Sequence, residues 1–434
     1  MLRATRLART HARGFATVVD AAGGAKVAAV DNGQPTSSVT VLLKAGSRYE
    51  QKPGVAHVLS NFAFKSTGQR SALGTVRETE LYGGVLSSTL SREHLALTAE
   101  FLRGDESFFV DVLTSFLTSP KFTRHELNEY VLPAVHAESA AAAHAASTQA
   151  LELAHALAFR SGLGYSLFAD AERTGSITTE DVHAFQAQAI ADLSNVALLG
   201  TGIAPDVLAA LFEKSFAASK SAGTAAAATP IAAVKSAYHG GATRVASAHS
   251  PQTLFVGFGL STAATPALHA LSAYLSPTPA LKWATGTSPL AIALPMGVRA
   301  RTVLLPYSDA ALFGVLFEGA DASAVAQGAK AAVEVLKNAA RKTLEKEEVA
   351  RSVARARFEI AGSVEARDGF VGTFGPRVLA GQLGGVQASL EAFGAVDGTA
   401  ISKVTAELLK SKPTFVVVGD VRALPYGDEV GLSA

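Results

Sequence analysis

The chain has 434 residues, with 38 Lys and Arg against 37 Asp and Glu for a formal charge of +1, and no cysteine. At 48% hydrophobic and 17% charged residues it is a folding rather than a disordered sequence, and its charge balance gives no electrostatic case for a nucleic-acid partner. The missing thiols exclude a disulfide framework, cysteine-ligated zinc or iron–sulfur clusters and a thiol nucleophile. The longest stretch without Asp, Glu, Lys or Arg runs from Val245 to Leu281. Pro251, Pro266, Pro277 and Pro279 divide it into pieces shorter than the roughly 20 apolar residues of a spanning helix, so the chain reads as soluble or membrane-peripheral.

In chain order, the first 19 residues carry Arg3, Arg6, Arg9 and Arg13 and no acidic residue before Asp20. That basic amphipathic profile is that of a mitochondrial presequence, and Arg13-Gly14-Phe15-Ala16-Thr17 resembles a matrix processing site cut between Phe15 and Ala16. Lys26 to Val30 and Val39 to Lys44 read as strands joined through Asp31-Asn32-Gly33, a tight-hairpin signal. Gly54 to Lys65 has helical period with Val55, Val58, Leu59 and Phe62 on one face. Ser87 to Glu100 reads as a strand and Glu106 to Leu117 as a helix. Arg124 to Phe159 reads as alanine-rich helix divided near Pro133. A helix over Thr179 to Ala191 opens on Glu180 and Asp181, as the helix dipole favours, and Ser194 to Gly200 is a strand.

Residues 217–236 have the small-residue composition of a linker. After it the layout recurs. Thr253 to Gly259 is a strand followed by a helix containing His269, much as Val39 to Lys44 is followed by the helix containing His57. Leu312 to Glu318 is a strand, Ala322 to Leu344 a helix, and a charged Glu345 to Glu348 segment leads a long helix to Glu365. Thr414 to Val418 is the final strand. This repetition predicts an α+β protein of two homologous domains, 16–216 and 237–434 behind a presequence at 1–15. Each is a sandwich with an antiparallel or mixed sheet and helices on one face, and an Ala/Ser-rich linker joins them.

With cysteine absent, chemistry would rest on His and carboxylates. The segment Gly54-Val55-Ala56-His57-Val58-Leu59-Ser60-Asn61-Phe62-Ala63-Phe64-Lys65 resembles the motif helix of the pitrilysin-type (inverzincin) metallopeptidases and mitochondrial processing peptidases, whose core is H-x-x-E-H. That family's motif places a first zinc ligand at His57, the general base at Ser60 and the second ligand at Asn61; Glu138, with 76 residues between it and Asn61, stands where the third ligand falls. A carboxamide is a poor zinc ligand, and a serine hydroxyl does not take a proton from water at neutral pH. One His and one Glu do not make a three-ligand catalytic site. His57 therefore reads as a partly buried helix histidine, and Glu138 as a solvated or hydrogen-bonded glutamate. No metal or cofactor is implied.

The resemblance continues through Ala45-Gly46-Ser47-Arg48-Tyr49-Glu50, Glu80-Leu81-Tyr82-Gly83-Gly84, Ser91-Arg92-Glu93, Pro120-Lys121-Phe122 and Tyr238-His239-Gly240-Gly241 with Arg244. Tyr307-Ser308-Asp309-Ala310-Ala311-Leu312-Phe313-Gly314 and the tail around Gly419-Asp420-Val421 and Leu424-Pro425-Tyr426 look like the core subunits of mitochondrial ubiquinol–cytochrome c reductase (complex III), an inactive branch of this family. The resemblance implies a non-catalytic scaffold on the matrix side of the inner membrane. Its implied partners are core protein 1, cytochrome b and other subunits of that complex, which itself dimerises. The alternative is the presequence-binding, non-catalytic α subunit of the processing peptidase, which would have a glycine-rich loop; Leu281 to Gly297 holds only Gly286 and Gly297. An active zinc peptidase is disfavoured by Ser60 and Asn61.

Overall fold

A computed structural model describes residues 17–20, 24–220, 234–247, 251–279, 286–381 and 385–432. The expected cleavage point at Phe15 and Ala16, and residues 221–233 of the expected linker, lie outside them. Among the described residues, eleven strands form two sheets. The first contains β1 (Thr17–Asp20), β2 (Lys26–Val30), β3 (Thr36–Leu43), β4 (Val85–Leu90), β5 (Leu95–Leu102) and β6 (Val196–Thr201), in the order β1-β2-β6-β3-β5-β4. The second contains β7 (Gly241–Ala246), β8 (Gln252–Leu260), β9 (Val298–Pro306), β10 (Ala311–Gly319) and β11 (Thr414–Gly419), in the order β7-β11-β8-β10-β9. With β1 set aside the two orders coincide, down to the single parallel pair in the same place, β2 with β6 and β7 with β11. The expected α+β duplication is therefore present in the topology.

That order corrects the expected hairpin. β2 and β3 are not paired; β6, some 170 residues further on, lies between them, parallel to β2 and antiparallel to β3. Gly33 does have the positive φ of 71°, yet its loop steps over one strand instead of closing on a neighbour. The segment Ser87 to Glu100 is likewise two strands, with Leu90 opposite Leu95 across a turn at Ser91 to His94. The alanine-rich helix breaks at Ala145, where ψ is 101°, between helices Leu132–His144 and Ala146–Phe159, rather than at Pro133, which sits in the first turn of its helix. The motif helix is shorter than expected, Val55–Asn61. Helix Pro205–Lys220 runs four residues into the segment read as linker.

Helices do not lie on one face only. The first sheet packs Val27, Val39, Val41, Leu43, Leu95 and Leu97 against the motif helix and helices Glu106–Thr118, Thr179–Ile190 and Pro205–Lys220. Its other face, with Ala28, Leu42, Ala96, Ala197 and Leu199, is covered by Phe370, Phe374 and Val378 from the other half. The second sheet is covered reciprocally. Its own helices Pro266–Leu275, Ala322–Arg341 and Gly398–Lys410 take one face, and Ala146, Ala150, Ala154 and Ala158 of the first half lie on Phe255, Leu312, Leu316, Val416 and Val418 of the other. Alanine at every fourth position presents a smooth stripe that lets a helix close on a sheet. Gly375 does the same for the opposite exchange, since a Cβ there would stand 2.7 Å from Leu42. This two-sided covering is why β3, β8, β10 and β11 are buried almost without a break instead of at alternate positions.

Candidate functional site

The motif helix starts at Gly54, whose φ of 89° and whose approach to Ala169, 2.6 Å from where a Cβ would be, both require glycine. Glu50 reaches back over this start and accepts from the N–H groups of Gly54 (3.0 Å) and Ala56 (3.3 Å). Burial pushes its carboxyl up to about 7, although the two donors favour the charged form. Val55, Val58 and Leu59 anchor the helix in the core, which leaves His57, Ser60 and Asn61 toward helix Leu132–His144 and strand β4.

The structure brings three of the four expected positions together. His57 is 4% exposed. Its Nδ1 accepts from the backbone N–H of Ala169 at 3.1 Å, which fixes the proton on Nε2; Nε2 donates to Glu138 Oε2 at 2.6 Å. The Asn61 amide donates to the same oxygen at 3.1 Å and to the carbonyl of its own helix at His57. Phe168 closes on the imidazole edge-on, with ring centroids 5.7 Å apart. Ser60 turns away, its hydroxyl 2.9 Å from that of Ser88 on β4. Glu138, expected as a solvated or hydrogen-bonded glutamate, has a half-exposed carboxylate that takes two side-chain donors.

This donor set does not fit zinc. A ligand histidine must aim a lone pair at the metal, and here the Nε2 that faces Glu138 carries a hydrogen. Asn61 offers its NH2 group, a donor, in place of an imidazole nitrogen. Among the described residues, no group of three or more His, Asp or Glu is placed to hold a metal ion. Ser60 and Ser88 share a hydrogen bond in the space where a general base would act, and neither is basic enough to activate water. Ala169 and Ser88 were not foreseen as partners. No local signal marks a backbone N–H that meets a side chain 112 residues away.

Residues 26–171 match the model of the insulinase family, peptidase family M16. Over 420 residues, 95% of this chain and 94% of the relative, the sequence is 47% identical to mitochondrial cytochrome b-c1 complex subunit 2 of Cryptococcus neoformans var. grubii. The chain belongs to the cytochrome b-c1 complex subunit 2 family. Proteins of the same name from Yarrowia lipolytica, 34% identical over 96% of this chain and 97% of the relative, and from Homo sapiens, 27% identical over 94% and 90%, are similar along the same length.

In this member of the subunit 2 family a second polar cluster joins the halves. Arg48, 6% exposed, donates through Nη1 to Glu93 (2.7 Å) and Asp309 (2.8 Å), and through Nη2 to Asp309 (2.7 Å) and the carbonyl of Val234 (2.8 Å). Glu93 in turn accepts from the backbone N–H and hydroxyl of Ser308. Beside it Arg92 donates to Glu152 at 2.5 Å. The Tyr307 hydroxyl donates to His155 Nε2 at 2.6 Å, because His155 Nδ1–H is already given to the Leu151 carbonyl. Burial holds His155 well below its ordinary pKa, with Arg92 acting in the same direction, so the imidazole stays neutral. Three of the strings that carried the family resemblance, at 45–50, 91–93 and 307–314, meet in this one network. Their spacing along the chain gave no sign of that meeting.

Proposed function

We propose that the chain is a non-catalytic core subunit of mitochondrial ubiquinol–cytochrome c reductase, in the core protein 2 position. The observation that carries this is the occupied remnant site: His57 Nε2–H and the Asn61 amide both donate to Glu138, so the peptidase fold is kept without its hydrolytic machinery. The full-length likeness to proteins named as subunits of the cytochrome b-c1 complex supports the assembly. Its companions are core protein 1, cytochrome b and the other subunits, in a complex that dimerises. Its place is peripheral, on the matrix side of the inner membrane; no helix among the described residues is long and apolar enough to cross a membrane. The mature chain begins at Ala16 and consists of two halves, 16–216 and 237–434, connected through 217–236.

The test is native electrophoresis of mild-detergent extracts from mitochondria containing the tagged full chain, with haem absorbance and mass spectrometry on the tagged band. Co-migration with b- and c-type haem and with core protein 1 is expected. Co-migration with a processing-peptidase catalytic subunit, and absence from the haem-bearing band, overturns the reading in favour of the presequence-binding alternative. N-terminal sequencing of the same band should give Ala16; a retained Met1 or Leu2 removes the presequence.

A further inference from the structure

The second sheet ends on β9, nine residues long, paired with β10 on one side and, among the described residues, with nothing on the other. Ala300 and Val303 are buried, while Arg299 and Arg301, two residues apart on the opposite side of the pleat from Ala300, are exposed. Glu318 stands across from Arg299 on β10 and Leu316 across from Arg301. No carboxylate of the described residues comes within ion-pair reach of either guanidinium. At the start of the strand, before the turn at Gly297 (φ 82°), Ile292 is 76% and Met296 98% exposed.

A long open edge normally carries a device against pairing, and charge is one such device. The equivalent edge in the first half argues against that explanation here. β4 reads Val85-Leu86-Ser87-Ser88-Thr89-Leu90, without a charge, so the edge at the equivalent place is not guarded by charge. The remaining parts of the chain supply no acidic side chain for the two arginines either. Residues 1–16, 21–23, 221–233, 248–250, 280–285, 382–384 and 433–434 contain no Asp or Glu.

We propose that β9 is a docking edge for an extended acidic segment of another polypeptide. The segment adds as a sixth strand, places carboxylates at alternate positions against Arg299 and Arg301, and lays an apolar side chain on Ile292 and Met296. Main-chain bonds to the edge supply affinity, and the two arginines select an acidic sequence over a neutral one. The proposal rests on the reading that the chain is a subunit of a larger assembly.

The experiment uses the full chain, with a photo-crosslinking amino acid in place of Met296, in the assembly isolated through a tag on this chain. Illumination should join it to a peptide of a different polypeptide that carries Asp or Glu at alternate positions. Arg299→Glu with Arg301→Glu should lower the yield about tenfold, and Arg299→Lys with Arg301→Lys should keep most of it, with unchanged melting temperatures as the folding control. Crosslinks only within the chain, to a second copy, to a segment without acidic residues, or none at all overturn the proposal, as does a yield indifferent to charge reversal. If the haem-bearing complex lacks the chain, the functional reading fails instead. The crosslinked peptide from whichever assembly holds the chain then decides this inference by the same criteria.

Discussion

The two polar clusters, one at His57 and one at Arg48, each gather nitrogen donors on a glutamate and differ in what water can do to them. At Arg48 the guanidinium and Glu93 side chains are 2% and 6% exposed, and every oxygen of Glu93 and Asp309 is engaged across the boundary between the halves. At His57 the acceptor Glu138 is 51% exposed and both donors come from the motif helix alone. The first cluster holds two sheets in register. The second holds one short helix against its neighbour, in a place where a metal would otherwise set the geometry. In this chain, polar chemistry has its greatest structural consequence at the junction rather than at the motif.

The difference is broken most directly at Arg48. Arg48→Met leaves the buried Glu93 and the partly exposed Asp309 without their cation, and removal of one partner from a buried ion pair costs about 3–5 kcal/mol. Urea unfolding of the full chain should show that loss, together with earlier proteolysis at the boundary between the halves. A loss below about 1 kcal/mol, the range of exposed pairs, would mean that the exchanged helices alone bind the halves together.

Next in size is a pH effect at the motif helix. Burial raises the Glu50 carboxyl from 4.5 to about 7 in the folded chain, so the folded state keeps a proton that the unfolded state releases. The stability this gives is complete below about pH 4.5 and is lost as the pH climbs through about 7, a change on the order of 3 kcal/mol. Glu50→Gln keeps an acceptor for the Gly54 and Ala56 N–H groups but cannot ionise. Its stability should fall less than that of the parent between pH 5 and 8. Parallel curves for the two proteins would show that Glu50 does not titrate in this window.

Much of this architecture was legible in the sequence, and the failures have a common cause. Apolar runs marked β8, β10 and β11 and the second half of β3, and the helix over Thr179–Ile190 was marked by the acidic first turn that Thr178 and Asp181 complete as a capping box. What was misread depended on partners distant in the chain. The Asn32-Gly33 turn carries a hairpin signal, and only β6 overrides it. The Ser91 to His94 turn lacks glycine and proline because Arg92 and Glu93 are fixed there by Glu152, Arg48 and Ser308, so the hairpin looked like one strand. At the motif, the identities of His57, Ser60, Asn61 and Glu138 could be read in order. That the first, third and fourth would share one carboxylate oxygen depended on Ala169 fixing the imidazole tautomer.

A smaller effect is expected at Glu138. Glu138→Gln weakens two hydrogen bonds at a half-exposed acceptor, and a net cost of about 0.5–1.5 kcal/mol follows from bonds of this kind. Set beside Arg48→Met, the ratio of the two losses measures how far the comparison between the clusters holds. A Glu138→Gln loss equal to that of Arg48→Met would make the remnant site a structural keystone.

The smallest effect is predicted for the change that alters the motif most. Ser60→Glu with Asn61→His restores the motif's residue types beside His57 and Glu138, yet presequence cleavage should stay at background in a fluorogenic peptide assay. Ligand identity alone leaves two obstacles. The Ala169 N–H holds the His57 proton on Nε2, the atom that must be bare to bind metal, and Ser88 on β4 stands against the position where the new glutamate would have to activate water. Catalytic groups act only when held near the reacting geometry, and misplacement by about 1 Å costs around a hundredfold. Efficient cleavage by the double variant would show that the difference between the two clusters lies in two residue identities and not in the surroundings that position them.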